Sequence, residues 1–425
     1  MTTTSSKDAL PPPSAASAFE QKRILPALAR REQVGLLRSL TPFHQVNSMD
    51  FSSNDYLGLA QSREQHMLVE ETYQRIATSK FPALLGSTGS RLLTGDSDYA
   101  HTLEQRLAKW HRRPAALLCN SGYDANLSVL SCLTLGTVVL MDELSHNSLQ
   151  MGVRLSKDCT VEKFGHNDLM DLMRLLEEYA GPSKPILVVV ESVYSMDGDL
   201  APLGDILDLS LRYNACVIVD EAHGLGVFGS HGMGVLEQYS LEDHPALLCS
   251  IHTFGKAAGC HGAVICGSES VKAYLLNYGR PIIYSTSLPM HSLVTIACAY
   301  QSMAGRVGVQ LRDSVRERVL AFRAGISAIM GKVIPSVGFV DSISPIQALI
   351  IPGNSACVEF CSKLWERSQH RIRLYPIRSP TVPKGEERVR IVVHAHNSTS
   401  EIATLLSLVE QTLQEMRLMI PRPKL

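Results

Sequence analysis

Asp220, His223 and Lys256 are the residues whose types and spacing could do chemistry. The run Ala215–Val219 predicts a buried strand, and it breaks into Asp220-Glu221-Ala222-His223-Gly224. A carboxylate and an imidazole at the carboxyl end of a strand lie where open α/β sheets bind ligands. Downstream comes Thr253-Phe254-Gly255-Lys256, where small neighbours leave the amine approachable. The amine can form a Schiff base, the carboxylate can keep a ring nitrogen protonated, and the imidazole can hydrogen-bond a phenolic oxygen. These are the parts a pyridoxal 5'-phosphate (PLP) site needs. Taken alone, the triplet reads equally well as a strand-end cap and a surface lysine.

The elements that must position these residues alternate along the chain. Helical patterns cover Met67–Ser79, Tyr99–Trp110, Tyr123–Leu135, Ser148–Leu155, Leu169–Tyr179 and Ile206–Tyr213. Strand patterns cover Ala115–Cys119, Thr137–Met141, Ile186–Val190 and Val217–Val219. Strands spaced by helices predict βαβ units and a mostly parallel sheet. Before them, Glu20–Leu40 reads as a helix carrying Arg38, and Met49–Gly58 as a short strand and turn. After residue 299 a helix, Ala299–Gly331, leads to antiparallel-looking strands at Gln347–Ile351 and Val389–Val393, then a last helix, Ser400–Met416. The predicted organisation is a disordered extension (1–18), an N-terminal helix and strand segment (19–59), a large domain (60–298), a smaller α+β domain (299–420) and an exposed tail (421–425).

With 425 residues and a net charge of −1, the chain can bury a substantial core and shows no basic stripe for nucleic acid. Its ten cysteines include no CxxC pair, which fits free thiols in a reducing compartment. No apolar run reaches the length of a membrane span. The first 18 residues lack the features of a signal or transit peptide. Pro423-Lys424-Leu425 is close to the SKL-type peroxisomal address, so a peroxisomal or cytoplasmic location is expected.

Two Gly-containing loops are placed to meet a ligand. Leu85–Arg91 is flexible, and Asn120-Ser121-Gly122-Tyr123 follows a strand and opens a helix whose N–H groups could cradle a phosphate. The nucleotide fingerprints GxGxxG and GxxxxGK[ST] are absent. Ser195 is no nucleophile elbow, since GxSxG is missing. His394 and His396 alternate on an expected strand, but no third ligand is evident, so no metal is expected. The basic run Arg312–Arg323 reads as the solvated face of the domain-linking helix.

The motifs taken together resemble the α-oxoamine synthases, PLP-dependent enzymes of aminotransferase fold type I. They are SSNDYLG (52–58), GSTGSR (86–91), Ser121-Gly122-Tyr123, DELSH (142–146), His166-Asn167-Asp168, SMDGDLAPL (195–203), DEAHG (220–224), TFGK (253–256), YSTS (284–287) and Pro376–Arg390. The resemblance implies a large domain with a mostly parallel seven-stranded sheet and a smaller C-terminal α+β domain. It implies that Lys256 carries the cofactor, Asp220 pairs with the ring nitrogen, His223 bonds the phenolic oxygen and His146 stacks on the ring. Ser121, Gly122, Tyr123 and Thr253 would hold the phosphate, with Ser195 near the phenolic oxygen. Thr286 would reach the neighbouring subunit's phosphate, so a homodimer is expected. Asn54 and Arg378 would face the amino-acid carboxylate, with Arg38 a further substrate residue.

The implied reaction is decarboxylative condensation of an amino acid with an acyl-CoA to an α-amino ketone. Within the family the resemblance is strongest to the biotin-pathway member, which joins L-alanine to pimeloyl-CoA. A sister synthase using glycine or serine with another acyl-CoA is the alternative. A silent partner subunit ranks below both, because Lys256, Asp220 and His146 are all present. Glu143, where the family often carries Arg, and Gly259-Cys260-His261-Gly262 after the lysine depart from the pattern and bear on acyl-chain specificity.

Overall fold

Short runs of Val, Ile, Leu and Ala form the centre of the structure. The strands β1 (Ala115–Cys119), β2 (Thr137–Asp142), β3 (Cys159–Phe164), β4 (Ile186–Glu191), β5 (Cys216–Asp220), β6 (Leu247–Thr253) and β7 (Ala263–Gly267) join one sheet in the order β1-β7-β6-β5-β4-β2-β3. Only β7 runs antiparallel to its neighbours. Every residue of β1, β2, β4 and β7 is buried, which is why these strands read as unbroken apolar runs. Alternate side chains feed two cores. Val188 and Val190 pack with the helices Leu169–Tyr179 and Leu203–Arg212, while Leu187 and Val189 pack with the helix Gly122–Leu133. The architecture is the expected α/β class with a seven-stranded, mostly parallel sheet.

The coordinates, a computed structural model, describe residues 15–33, 37, 38, 40, 48–78, 85–181 and 184–418. Met1–Val46 and Asn47–Leu425 form two separate compact units. In the first, Ala15–Phe19 is helical although disorder was expected through residue 18. The helix expected over 20–40 is instead a π-helical turn, Glu20–Ile24, followed by Leu25–Gln33, and residues 37, 38 and 40 are irregular. Residues 1–14 and the tail Pro423-Lys424-Leu425 lie outside the described residues.

In the second unit a smaller antiparallel sheet holds β8 (Gly338–Phe339), β9 (Ile346–Ile350), β10 (Tyr375–Ile377) and β11 (Arg388–Val392), in the order β10-β11-β9-β8. The helix expected over 299–331 breaks at Gly305 into Met290–Ala304 and Arg306–Met330. A Cβ at Gly308 would fall on the backbone of Met303, so the two helices pack at a glycine contact. Arg312 is not on a solvated face. It is buried, and its guanidinium donates to the Met303 and Ser230 carbonyls. Residues 49–51 form no strand. Asp50 instead receives the amides of Ser52 and Ser53, the turn chemistry that Asp and Ser favour.

One buried carboxylate ties the Gly-rich loop to this frame. Glu104, on the helix Asp98–Trp110, is 1% exposed. It accepts hydrogen bonds from Arg91 Nη1 (2.6 Å), Lys272 Nζ (2.8 Å) and the Leu118 amide (2.9 Å). Removing one partner of a buried ion pair leaves the others unsatisfied and costs about 3–5 kcal/mol. Glu104→Ala is therefore expected to lower the unfolding free energy by about 3 kcal/mol, read as a drop in the urea midpoint at unchanged slope.

Candidate active site

The site lies at the carboxyl ends of β2, β4, β5 and β6, where parallel strands leave a crevice. Asp220 ends β5 and is buried. Its Oδ2 accepts from Asn126 Nδ2 at 2.7 Å and its Oδ1 from the Ala222 amide at 2.9 Å. Asn126 uses its second N–H on Ser148 Oγ at 2.8 Å, and that oxygen lies 2.7 Å from His146 Nδ1. The Ser148 amide also donates to Nδ1, so the proton of neutral His146 belongs on Nε2. His146 itself is exposed and caps the helix Asn147–Leu155, with its amide donating to Glu191 Oε1 at 2.6 Å.

A second chain of contacts runs through the lysine. Lys256 Nζ is 2.7 Å from His223 Nε2, and His223 Nδ1 is 2.6 Å from the Tyr56 hydroxyl. Tyr56 donates to Asn54 Oδ1 at 3.1 Å, which also accepts from Arg390 Nη2 at 3.0 Å. Burial drives the His223 pKa well below its usual value, helped by the nearby positive charges of Lys256 and Arg390. A neutral ring then donates from Nδ1 to Tyr56 and accepts from Lys256 at Nε2. Burial, and the charge of Tyr56's surroundings only in opposition, raises that phenol to about 12, so it keeps its proton. Desolvation also lowers Lys256, to about 8, against the opposing pull of Asp220 and Glu191. A neutral amine is the nucleophilic form.

The residues expected to hold a phosphate converge. Ser121 caps the helix Gly122–Leu133, its Oγ accepting from the Asp124 amide. A Cβ on Gly122 would come within 2.9 Å of Thr253 Cβ, so only glycine lets this helix start approach the end of β6. Free N–H groups at that helix start, a buried carboxylate and a lysine with a depressed pKa fit PLP. Tyr123 is exposed beside them. Ser195 is buried and contributes its carbonyl, which accepts from Arg390 Nε at 2.7 Å. Thr286 is exposed, and its carbonyl accepts from Asn120 Nδ2.

The expected substrate residues are placed as follows. The arginine brought to Asn54 is Arg390, on β11, whereas Arg378 follows the end of β10. Arg38 is exposed and belongs to the first unit, Met1–Val46. Sequence reasoning did not single out Tyr56, Asn126, Ser148, Glu191 or Arg390. Glu191 had a usable signal. It ends an apolar strand as Asp220 does, and the two are paired across β4 and β5. Glu221, beside Asp220, is structural: it accepts from Ser192 and from the amides of Val235 and Leu236.

Among the described residues, two three-residue groups could bring metal ligands together. His394 and His396 lie beyond the end of β11, with Asp50 as the third member. Both ring nitrogens of His394 are already engaged, by Ser53 and Asn397. In the other group, His111, His252 and Cys266, the two imidazoles stack at 3.8 Å and 30°. Their in-plane lone pairs therefore run side by side instead of converging on one ion.

With this geometry in hand, similarity to known proteins is decisive. Residues 46–409 match the model of aminotransferase class I and II. The chain belongs to that family. An 8-amino-7-oxononanoate synthase from Emericella nidulans is 37% identical over 92% of this chain and 95% of its own length. One from Dechloromonas aromatica is 36% identical over 86% and 90%. Among solved structures, a serine palmitoyltransferase from S. paucimobilis with a bound PLP–myriocin aldimine aligns at TM-score 0.81 and 23% identity, covering 95% of this chain and 100% of that one. An 8-amino-7-oxononanoate synthase from Francisella tularensis aligns at 0.70 and 23%, covering 87% and 99%. The fold is therefore that of the fold type I PLP enzymes, the cofactor is PLP, and the chain is an enzyme of the PLP-dependent acyltransferase type.

The lysine's low pKa has a direct readout. Covalent capture of PLP by the apoprotein should speed up as pH rises through about 8, where Lys256 loses its proton, and not through its ordinary value near 10.5. Stopped-flow absorbance measures the rate. Borohydride reduction and peptide mapping should place the label on Lys256, and a label on any other lysine would refute the assignment.

Proposed function

We propose that this chain is an 8-amino-7-oxononanoate synthase, condensing L-alanine with pimeloyl-CoA and releasing CoA and carbon dioxide. The observation that carries the reading is the Lys256–His223–Tyr56–Asn54–Arg390 line, which sets an amine with a lowered pKa at one end and a guanidinium at the other. The similarity to 8-amino-7-oxononanoate synthases over nearly the whole chain supports the choice of substrates. Bound PLP supplies an electron sink for the pair left when a bond to the amino acid's Cα breaks. Asp220 holds the ring nitrogen protonated, because a close opposite charge favours the charged form. Arg390 and Asn54 grip the substrate carboxylate, and the planar guanidinium suits a two-point contact. Lys256 Nζ, seated on His223 and brought closer to its neutral form by burial, accepts the proton from Cα once it has lost its own. The net reaction joins Cα to the acyl carbon, expels CoA as the thiol and loses the original carboxylate as carbon dioxide.

We also infer that the working unit is a homodimer. The strand of chain carrying Thr286 is stitched to the Gly-rich loop, with Ser287 N bonding the Gly89 carbonyl and Ser87 Oγ bonding the Ser287 carbonyl. Leu93 (81% exposed) and Tyr284 (78%) stand on these joined segments. Large apolar side chains left exposed on joined segments suit a subunit interface. Light scattering of the purified holoenzyme should give twice the chain mass, and a monomer would overturn the inference.

The reaction is tested by CoA release from purified holoenzyme against a matrix of alanine, glycine and serine with pimeloyl-, acetyl-, succinyl- and palmitoyl-CoA. The highest kcat/KM is expected for alanine with pimeloyl-CoA, and a different best pair would make this a sister synthase. Within that assay Arg390→Ala should weaken amino-acid binding by at least about 30-fold, since losing one partner of a buried charge pair costs about 2–5 kcal/mol. Acyl-CoA affinity should change little. A larger effect from Arg378→Ala than from Arg390→Ala would return the carboxylate to Arg378.

A further inference from the structure

The His166-Asn167-Asp168 run takes no part in the site described above, yet its imidazole joins two turns that do. His166 follows β3, with Nδ1 3.0 Å from Asp142 Oδ1 and Nε2 2.8 Å from Asp199 Oδ2. A carboxylate can only accept, so a carboxylate at each nitrogen requires both nitrogens to donate. The ring is thus an imidazolium. Asn167 repeats the bridge, its amide donating to Asp142 Oδ2 at 2.9 Å and its Nδ2 to Asp199 Oδ2 at 2.8 Å. The Tyr194 ring meets the imidazole edge-on at 4.4 Å.

Each anchored turn leads to the site. Asp142 is fully buried at the end of β2, and His146 follows within the same turn. Asp199 belongs to the turn that begins at Ser195, whose carbonyl receives Arg390 Nε. Asp197 of that turn pairs with Arg388, so both β11 arginines rest on it.

We propose that His166 is a positioning residue for amino-acid binding: its doubly bonded imidazolium locks the Ser195–Leu200 turn to the end of β2 and so seats the Arg390 guanidinium opposite Asn54. This rests on the reading in which Arg390 receives the substrate carboxylate. Burial works against the charged ring, but the hydrogen bonds and charges of Asp142 and Asp199 outweigh it and hold its pKa up at about 9. The titratable groups facing the ring are Asp142 from the end of β2, and Tyr194 and Asp199 from the turn after β4, while Glu143 accepts from the His166 backbone amide. All are acids, so none can replace the lost positive charge. A histidine whose folded pKa is raised contributes in full below its unfolded value of about 6.5, and the contribution is lost as pH rises through about 9.

The test uses holoenzyme carrying labelled histidine. The His166 ring resonance, assigned by its disappearance in His166→Gln, should titrate near 9 and move towards 6.5 in Asp199→Asn. Amino-acid dissociation constants, read from the cofactor's absorbance, should rise about tenfold in His166→Gln, on the scale of one charge-assisted hydrogen bond. Cofactor content should be unchanged and kcat within about threefold. The wild-type constant should climb above pH 9 by more than that of His166→Gln. Asp199→Asn, which keeps its side-chain shape, should reproduce the binding loss should His166→Gln fail to accumulate. A ring that is neutral at pH 7, or amino-acid binding unchanged in both variants, overturns the proposal. The titration uses whichever amino acid the wild type consumes, so a wrong substrate assignment fails separately, in the wild type alone.

Discussion

The negative charge of Asp220, held at the end of β5 with almost no water around it, is the constraint to which the site is fitted. A buried carboxylate must be answered by donors or by positive charge. Asn126 and the Ala222 amide supply the donors, and Asn126's other N–H goes to Ser148, which in turn orients His146. Glu191 sits beside Asp220 in the next strand. Burial first, and the like charge of Asp220 second, push its pKa up to about 8, so at neutral pH it holds a proton and only one negative charge remains. That single charge can be directed at one cofactor nitrogen.

Chemistry and recognition come from different sheets. Asp220 and Lys256 belong to the large parallel sheet or its loops, while Arg390 stands on β11 of the small one. The segment 49–58 bridges them. Its backbone is sewn to the small-sheet side, with the Val392 amide bonding the Phe51 carbonyl and the Ala395 amide bonding that of Tyr56. Its Tyr56 side chain nevertheless reaches His223 in the large sheet. Substrate recognition and the proton-handling lysine are thus coupled through one short, well-packed stretch of chain.

Much of this was legible in the sequence because the determinants are local. Asp220, His223 and Lys256 sit at strand ends that apolar runs reveal, and Leu169–Tyr179 and Ala115–Cys119 coincide with their periodicity. Ser121 and Gly122 follow from cap and turn chemistry. What was missed depends on tertiary approach. Arg390 and Arg378 both lie in the Pro376–Arg390 motif, and only the pairing of β10 with β11 and the Ser195 carbonyl decide which one meets Asn54. Asn126 lies in the interior of a helix, and nothing in its neighbours shows that it faces a carboxylate 94 residues away. β3, with half-exposed polar positions at the sheet edge, lacks the continuous apolar signal of its neighbours.

The antiparallel placement of β7 has an effect on tolerance to change in chain length. Because β7 returns directly beside β6, the lysine rides on a tight connection closed by the Phe254 amide to the Gly262 carbonyl and the Cys260 amide to the Phe254 carbonyl. An inserted residue there would slip the register of β6 against β7 and, through β7, against β1, turning core side chains towards the wrong face. The loop before β11, with exposed residues from Pro383 to Glu386, likewise joins an antiparallel pair, so a change of length there puts at risk the β10–β11 register that places Arg390. Both the reactive amine and the recognition arginine therefore depend on the length of a connection between antiparallel neighbours, one in each sheet.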